Sequence, residues 1–474
     1  MISLLLLSGL MPAHALDLSD LERDLDRTMK DSSIAAADVG AVVWNLADGA
    51  ELWSYKADNP INPASCQKAV TTLVALDNLG PAHSRTTEIR YSGELSGGVL
   101  DGDLYIVGDG DPQLVIERWW KLVTDVKGAG IDVIKGDVVL DATLFGEIDG
   151  IPGWPGGDDG HMGPAYEAPV SALMVNYNSV SVKVGPAETA GEPAKVTLEM
   201  PTDYFHINNK AVTTAGGGRA LGVMRVEGPN GPTLEVSGRV SLNSQPRSFY
   251  RNVADPLAYA GATFVEIYER WGGTVEGAVR AGATPSDTEL VAYSSSRPVW
   301  QLIGDMNKYS SNQIAESLVR VSAAEALGDG SPEGAQELTR QTLEKYGIDT
   351  SGAVFYNGSG LTRQGRITPR QLAGVFQALY SNPAWKYEAM TSMAVYGRDG
   401  TVGRRMQNTP LEDQVRVKTG SVSGVLTLSG IVECAESGEA MAFALMFQDL
   451  GNVWRPTRVW DKFLTHMYDA CGEG

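Results

Sequence analysis

The stretch "NPASCQKAVTT", residues 62–72, contains a serine and a lysine one helical turn apart, Ser65 and Lys68. Side chains at positions i and i+3 lie on one face of a helix, so an uncharged Lys68 could accept the hydroxyl proton of Ser65. The amino end of the helix would favour the negative charge that develops there. Serine is also a common helix N-cap, so this stretch alone leaves both interpretations open.

A second stretch, "VKTGS", contains Lys418, Thr419 and Gly420 in a predicted strand. On a strand, Lys418 and Gly420 point to the same face. Glycine would leave room for a substrate backbone to pair with the strand edge. The lysine supplies positive charge, and the threonine supplies a hydroxyl that could bind a carboxylate. The alternative, an exposed strand end, would not require threonine and glycine.

The third candidate is Ser310-x-Asn312 in "KYSSNQ", at a predicted turn between two helices. An N-cap is again the alternative, and "SLN" at residues 241–243 fits the same pattern but lies in a β-rich stretch. The order S-x-x-K, S-x-N, K-T-G is the signature of penicillin-binding proteins and serine β-lactamases. The ordered set favours Ser65 as a catalytic nucleophile.

The elements that would position these residues come from both ends of the chain. Apolar residues recur at helical spacing over residues 17–32, which predicts an amphipathic helix. "VGAVVWNLADGAELWSY" predicts two strands, and "SCQKAVTTLVALDNLGP" predicts a buried helix with a Gly-Pro stop. Near the other end, two helices are predicted about a turn near residues 308–311. Strands in "VRVKTGSVSGVLTLSGIVEC" and "AMAFALMFQDL" and a last helix over about 455–470 follow them.

Between these parts, residues 87–286 change character. Short alternating strands are broken by Gly, Pro and Asp, and two helices are predicted, over roughly 113–127 and 256–271. Residues 184–247 are almost all strand and turn. We therefore expect one α/β domain built from both ends of the chain and interrupted by a mostly-β insert.

The composition and the residue spacings argue against several classes of function. Lys+Arg 38 against Asp+Glu 58 gives a net charge of -20, which opposes binding to nucleic acid. The five histidines are scattered, and neither C-x-x-C nor H-E-x-x-H occurs. A zinc site and a Ser-His-Asp triad are therefore disfavoured, and we expect no cofactor and no metal.

The first residues, "MISLLLLSGLMPAHALDLSD", predict export. A short apolar run ends in Ala13-His14-Ala15, a small-x-small pattern, so we expect a signal peptide over residues 1–15 that is cleaved near Ala15. No later segment has 18 apolar residues in a row, so no transmembrane segment is expected in the mature protein. Export permits disulfides, and Cys434–Cys471 is the pair that leaves the Ser65 region and its neighbour Cys66 alone.

Beyond the three motifs, the chain resembles the low-molecular-mass class C penicillin-binding proteins, the D-alanyl-D-alanine carboxypeptidase/endopeptidases. "INPASCQKAVTT" is similar to the P-A-S-x-x-K stretch of that family. Further similar blocks are "GDGDP", "IKGDVVLDATLFG", "YEAPVSALMVNYN", "YNGSGLTR", "GRDGTVGRRM" and "VKTGSVSG". The chain departs from the family pattern at Cys66, at Asn357, where Asp is commoner, and after Pro155, where an aromatic residue is expected.

The resemblance implies a serine β-lactamase/transpeptidase-like α/β (α+β) domain, with helices around an antiparallel sheet. The long gap between Ser65 and Ser310 is similar to the gap in the family, where inserted domains fill it. β-Lactamases lack such domains. The expected division is a catalytic domain from residues 16–86 and 287–474, an inserted domain from 87–183 and 248–286, and a small β domain over 184–247 within the insert.

The resemblance also implies hydrolysis of the terminal D-Ala-D-Ala bond of peptidoglycan stem peptides, and of the cross-bridge between them, in the periplasm. Ser65 would form the acyl-enzyme, and β-lactam antibiotics would be covalent inhibitors. Lys68 would be the base, its pKa lowered by burial and by the ammonium of Lys418. Ser310 would relay a proton to the leaving amine. Asn312 would position Lys68 or the substrate amide.

Substrate binding is assigned to the K-T-G motif and to one loop of the insert. Lys418, Thr419 and Ser421 would hold the terminal carboxylate beside Gly420, and the backbone N–H groups of Ser65 and Ser421 would form the oxyanion hole. The loop "GWPGGDDGHMGPAY" should lie beside the cleft. There Asp158 or Asp159 could pair with a free ammonium on the third stem residue, such as meso-diaminopimelate, while Trp154 or Tyr166 packs against its aliphatic part. Solvated turn charges are the alternative for both aspartates.

Two rival functions remain at this point. A β-lactamase would share the three motifs, and the long insert argues against it. A non-catalytic peptidoglycan-binding protein would not need the intact set of Ser, Lys, Ser, Asn and Lys.

Overall fold

A computed structural model describes residues 16, 18, 20–147, 150–155, 163–228, 231–435, 437–451 and 456–472. The predicted signal peptide over residues 1–15 lies outside the described residues. Asp158 and Asp159 also lie outside them.

Two of the α-helices of the described ranges carry motif residues. In chain order the helices are α1 Leu21–Met29, α2 Gln67–Asn78, α3 Ile116–Gly128, α4 Pro256–Arg270, α5 Val299–Tyr309, α6 Asn312–Leu327, α7 Pro332–Lys345, α8 Pro369–Ser381, α9 Lys386–Ser392 and α10 Thr457–Asp469. Of these, α2 contains Lys68 and α6 contains Asn312. Within the described part of the chain, none of the α-helices has both the length and the apolar character needed to cross a bilayer.

The strands follow the same order. They are β1 Asp38–Asn45, β2 Glu51–Tyr55, β3 Thr86–Tyr91, β4 Glu94–Ser96, β5 Val99–Asp101, β6 Leu104–Val107, β7 Val133–Ile134, β8 Val138–Asp141, β9 Ser179–Gly185, β10 Lys195–Leu198, β11 His206–Asn209, β12 Val212–Thr214, β13 Gly222–Gly228, β14 Gly231–Ser237, β15 Arg239–Ser241, β16 Arg247–Asn252, β17 Thr274–Val275, β18 Val279–Ala281, β19 Glu289–Ser295, β20 Ala394–Val395, β21 Val415–Val422, β22 Val425–Glu433 and β23 Ala440–Gln448.

The two ends of the chain meet in one antiparallel sheet, whose strand order is β2-β1-β23-β22-β21-β20. β1 pairs with β23 from Asp38↔Gln448 to Asn45↔Met441. Helices cover both faces of this sheet. The predicted α/β domain, with helices around an antiparallel sheet and contributions from both ends, is confirmed.

Alternation along the strands sends successive side chains into two different cores. Val42 packs with Leu73 of α2 on one face. Val43 packs with Leu25 of α1 and Phe463 of α10 on the other. Both faces are covered, and this is why the β23 sequence "AMAFALMF" is apolar throughout rather than alternating.

The insert has a core of its own. Its larger sheet has the order β18-β8-β6-β3-β19, and α3 and α4 bury Trp119 and Phe264 in the same cluster as Ile106 and Leu140 of that sheet. β19 pairs antiparallel with β3, so the strands that enter and leave the insert lie side by side. The division at residues 86/87, 183/184, 247/248 and 286/287 stays a prediction.

Cys434 and Cys471 form a disulfide with a Cα–Cα distance of 5.4 Å, which confirms the predicted pairing. The bond ties the end of β22 to the residues that follow α10. Cys66 is a free thiol and is buried.

Candidate active site

Ser65 lies in a short 3₁₀ turn, Ala64–Cys66, that leads directly into α2. Asn62 fixes the turn: its Oδ1 accepts from the Ala64 amide at 2.8 Å and its Nδ2 donates to Thr362 O at 2.7 Å. The N-cap of α2 is Cys66, which makes no side-chain capping bond. The Ser65 hydroxyl is therefore not used to cap this helix and faces the cleft.

Lys68 is fully buried and its Nζ has three oxygen neighbours. Asn312 Oδ1 lies at 2.8 Å and Ser359 O at 2.7 Å, and both can only accept. Ser65 Oγ lies at 3.0 Å. An uncharged amine has two protons for the two carbonyl oxygens, and its lone pair is then available to the Ser65 hydroxyl.

The electrostatics of the site favour that uncharged form. Burial, and after it the charge of Lys418, hold the pKa of Lys68 well below its ordinary value, while Glu316 acts in the opposite direction. A lysine with a lowered pKa next to a serine is the arrangement that activates a hydroxyl nucleophile.

The Ser359 carbonyl belongs to a turn clamped between two helices. Glu316 of α6 accepts from the Gly358 amide at 3.2 Å and from the Ser359 amide at 2.8 Å. Thr71 of α2 donates to Gly358 O at 2.6 Å. No sequence signal predicts this contact with Lys68, because a backbone carbonyl can belong to any residue type.

Asn357, one of the departures from the family pattern, uses both ends of its amide. Its Nδ2 donates to Pro152 O at 2.7 Å and to Leu361 O at 3.0 Å, and its Oδ1 accepts from the Gly360 amide at 2.8 Å. A carboxylate could not donate the first two bonds. Asparagine therefore links this turn to the loop of the insert that carries Trp154.

Ser310 and Asn312 lie on the two sides of the junction between α5 and α6. Ser310 has φ 60° and ψ 39°, a left-handed conformation that is costly for a residue with a side chain. The N-cap of α6 is Ser311, whose side chain accepts from Ile314 N, so neither motif residue is the cap. Asn312 Nδ2 donates to Tyr166 O at 2.9 Å, which joins the site to the insert.

Lys418 approaches Ser310 from the sheet. It is fully buried, and its Nζ donates to Ser310 Oγ at 3.1 Å and to Thr419 O at 2.7 Å. Burial lowers its pKa to about 8. β20 pairs only with Arg416 and Val417 of β21, so within the described residues no strand pairs with the outer edge from Lys418 onward.

Gly420 has a different role from the one expected. A Cβ there would lie 2.2 Å from Thr427 Oγ1, 2.7 Å from Pro63 O and 2.9 Å from Ser65 N. On the face that Gly420 shares with Lys418, the space is filled by the turn that carries Ser65. Glycine lets the nucleophile and the strand approach each other.

Cys66, the departure beside the nucleophile, is held in the same contact. Its thiol lies 3.1 Å from Lys418 O, and Thr427 Oγ1 donates to Cys66 Sγ at 3.2 Å. Burial raises the pKa of the thiol, so it stays protonated. Cys66 thus joins the Ser65 turn to the strand and faces away from the cleft.

The Ser65 hydroxyl faces a cleft of about 720 Å³. Its walls are Ser65, Trp154, Tyr166, Ser310, Asn312, Gly360, Leu361, Arg363, Ser421, Val422 and Ser423. The cleft brings together predicted residues of the S-x-x-K and S-x-N motifs, Ser421 directly after K-T-G, and Trp154 and Tyr166 of the insert. Arg363 was missed: it lies in the block "YNGSGLTR", and its guanidinium carbon is 5.8 Å from the centroid of the Trp154 ring.

A family model described as D-Ala-D-Ala carboxypeptidase 3 (S13) matches residues 21–459 of this chain. A D-alanyl-D-alanine carboxypeptidase from Actinomadura sp. (strain R39) is 33% identical over 453 residues, which are 92% of this chain and 82% of that protein.

Among solved structures, penicillin binding protein 4 (DacB) from Haemophilus influenzae is similar to this chain, with a TM-score of 0.79 and 25% identity. The match covers 96% of this chain and 99% of that chain. A structure of the same protein complexed with a β-lactam matches with a TM-score of 0.74 and 24% identity, over 96% of this chain and 99% of that chain.

Proposed function

The chain belongs to the D-Ala-D-Ala carboxypeptidase 3 (S13) family, and we propose that it hydrolyses the terminal D-Ala-D-Ala bond of peptidoglycan stem peptides through an acyl-enzyme at Ser65. The observation that carries the proposal is the set of neighbours around Lys68. Two carbonyl oxygens take its amine protons, which leaves its lone pair for the Ser65 hydroxyl at 3.0 Å.

In the first step Ser65 Oγ attacks the carbonyl carbon of the penultimate D-Ala, and its proton passes to Lys68 Nζ. Negative charge develops on the carbonyl oxygen. The backbone N–H groups of Ser65 and Ser421 would stabilise it, each such donor being worth roughly 10²–10³ in rate.

In the second step the C–N bond breaks and the leaving amine takes the proton that Lys68 Nζ accepted from Ser65, so Lys68 is uncharged again. Ser310 is the proposed relay, because its hydroxyl lies in the cleft and 3.1 Å from Lys418 Nζ. A water then attacks the acyl carbon and gives a proton to Lys68, the bond between the acyl carbon and Ser65 Oγ breaks, and Ser65 Oγ takes that proton from Lys68.

The terminal carboxylate is proposed to bind at the start of the free edge of β21. Lys418 is charged below pH of about 8, and Thr419 and Ser421 supply hydroxyls. A β-lactam places its strained amide and its carboxylate at the same positions, so it would acylate Ser65 as the peptide does. The β-lactam complex of the H. influenzae protein is consistent with this.

The same reaction on a cross-linked peptide would make the protein a DD-endopeptidase. The bond is again an amide after a D-Ala carbonyl, and only the leaving amine is larger. The cleft is open at the surface and can accept such a substrate.

The third stem residue is proposed to bind between Trp154 and Tyr166. Asp158 or Asp159 would pair with its side-chain ammonium. Arg363 lines the same part of the cleft, next to the Trp154 ring. A third residue that ends in a free ammonium, such as meso-diaminopimelate, would suit this site.

We propose that the protein acts in the periplasm after removal of a signal peptide near Ala15. The apolar run before Ala13-His14-Ala15 supports cleavage there. The Cys434–Cys471 disulfide supports an oxidising compartment, because such bonds persist mainly outside the cytosol.

The proposal is tested by incubation with a fluorescent penicillin and then with a purified muropeptide. Stoichiometric labelling together with release of D-Ala is expected. Rapid turnover of the penicillin without D-Ala release would identify a β-lactamase. If neither labelling nor release of D-Ala occurs, the remaining alternative is a non-catalytic binder of peptidoglycan.

A further inference from the structure

The stretch "GRDGTVGRRM", residues 397–406, borders the site at the end opposite Trp154. It contains a 3₁₀ turn, Gly400–Val402, between β20 and β21. Thr401 Oγ1 lies 2.8 Å from Thr419 Oγ1. A Cβ on Gly400 would lie 2.9 Å from Lys308 O, two residues before Ser310. This turn is therefore packed against the part of the site that holds the substrate carboxylate in the proposed function.

The free edge of β21 determines which end of a bound peptide lies near Thr401 and which lies near Trp154. Ser421–Ser423 line the cleft together with Trp154 and Arg363, where the body of the donor stem would bind. Thr419, earlier on the strand, contacts Thr401 instead. A peptide that runs along this edge has its leaving group at the Thr401 end.

The three arginines of residues 397–406 differ in whether they pair with a carboxylate of the protein. Arg398 pairs with Asp413, and Arg405 pairs with Asp461 at 2.7 Å. Arg404 is exposed and forms no ion pair within the described part of the chain.

Arg404 also has a defined position relative to Thr401. The hydrogen bonds from Gly403 N to Gly400 O at 3.4 Å and from Arg405 N to Val402 O at 3.0 Å continue the 3₁₀ turn past Val402. Side chains three residues apart lie on the same side of such a turn. Arg404 therefore lies on the side of Thr401, beyond the leaving-group end of the cleft.

We propose that Arg404, beside Thr401, binds a carboxylate of the acceptor stem, the second peptide that leaves when a cross-link is cut. The inference rests on the proposed function and deepens its endopeptidase part. When a single D-Ala leaves, its one carboxylate is held by Lys418 and Thr419. When a cross-linked peptide is cut, a whole stem leaves, and its own C-terminal carboxylate lies further out. Arg404 is then a residue that determines specificity for cross-linked over monomeric substrate.

A local cation would offset the overall charge of the protein. A net charge of -20 opposes the approach of an anionic peptide, so a cation near the path of the acceptor stem would favour its binding. Of the three arginines of the turn, two already neutralise carboxylates of the protein, and Arg404 is the one available to a ligand.

The test compares kcat/KM for a purified cross-linked muropeptide dimer with kcat/KM for a monomeric pentapeptide muropeptide. In Arg404→Gln, the dimer-to-monomer ratio should fall about two- to fivefold, the size expected for one exposed charge pair. Arg404→Glu should lower it further, because attraction becomes repulsion. The matched control is Arg398→Gln on the same turn, which should leave the ratio unchanged.

Salt supplies a second readout. At about 1 M salt the screening length is about 3 Å, so the difference between the unsubstituted protein and Arg404→Gln should shrink. An unchanged ratio in Arg404→Glu would overturn the inference, as would an unsubstituted protein that releases D-Ala but does not cut the dimer; in both cases the carboxypeptidase function stands. Loss of penicillin labelling and of all hydrolysis in the unsubstituted protein would instead overturn the proposed function and the inference with it.

Discussion

Gly420 lies directly against Ser65: a Cβ on the glycine would stand 2.9 Å from the serine amide nitrogen. The strand that is proposed to bind the substrate carboxylate and the turn that carries the nucleophile are thus packed so closely that no side chain fits between them at this position. The spacing between the two halves of the site is set by a residue that has no side chain.

Gly420→Ala should therefore slow acylation without unfolding the protein. The methyl group would push the Ser65 turn away from β21, and a misplacement of about 1 Å can cost about 10²-fold in rate. The measurement is the acylation rate with a fluorescent penicillin. Gly304→Ala is the matched control, since nothing lies within 4 Å of a Cβ there and its acylation should be normal. Equal rates in both variants would show that the close contact does not matter.

Lys68→Ala should fold yet lose acylation by about 10²–10⁴-fold, the usual contribution of a positioned base. The reference is Ser65→Ala, which has no hydroxyl to acylate and should give neither penicillin label nor D-Ala release. Near-normal acylation of Lys68→Ala would mean that another base exists. Stoichiometric labelling of Ser65→Ala would remove Ser65 as the nucleophile.

The pH dependence should have two limbs with opposite causes. Lys68 must lose its proton to act as a base, so kcat/KM should rise with pH through the lowered pKa of Lys68. Lys418 must keep its proton to bind a carboxylate, so kcat/KM for a D-Ala-D-Ala peptide should fall above a pH of about 8. A neutral ester analogue should lack much of that alkaline loss.

Lys418→Ala should accordingly weaken hydrolysis of the carboxylate-bearing peptide more than of the neutral ester. The measured quantity is kcat/KM for the two substrates at a pH below 8. Equal losses for both would show that Lys418 does not recognise the carboxylate.

Thiol counting of the denatured mature protein should give one free thiol, that of Cys66. A Cys434→Ser, Cys471→Ser double variant should lower the free energy of unfolding by about 2–4 kcal/mol, because the bond closes a long loop of the unfolded chain. Chemical unfolding curves measure this. Three reactive thiols in the unsubstituted protein would refute the bond.

For the loop that contains Asp158 and Asp159, each Asp→Ala variant is compared on two peptides, one with the side-chain ammonium of the third residue free and one with it acetylated. A selective fall in kcat/KM for the free-amine peptide is expected, by an amount equivalent to about 2–5 kcal/mol if the pair is buried and much less if it is exposed. If neither variant discriminates less than the unsubstituted protein, the loop does not recognise that ammonium.

The motifs were predictable because the chemistry needs particular side chains at short, fixed spacings. Ser65 and Lys68 are one turn apart at the start of α2, and Ser310 and Asn312 lie on the two sides of one helix junction, so both spacings can be read from the sequence. Strand β23 was also predictable from its unbroken apolar run.

What the sequence could not supply are contacts made by backbone atoms or by residues far apart in the chain. Ser359 O lies 291 residues from Lys68 and has no residue-type signature. Glu316 is buried in α6, and its two amide partners are visible only in three dimensions. Gly420 was noticed, but the occupant of the space beside it was not, because that space is filled by a turn from the other end of the chain.

The pairing of β1 with β23 has a consequence for how the protein comes into being. During synthesis the Ser65 half of the site is made well before the Lys418 strand, and the central sheet cannot close until Ala440–Gln448 has emerged from the ribosome. The sheets of the insert pair only among strands between Thr86 and Ser295, so their hydrogen-bond partners are complete before that moment. The site of a hydrolase with this topology can therefore be completed only after Ala440–Gln448 has been synthesised, later than the sheets of the insert.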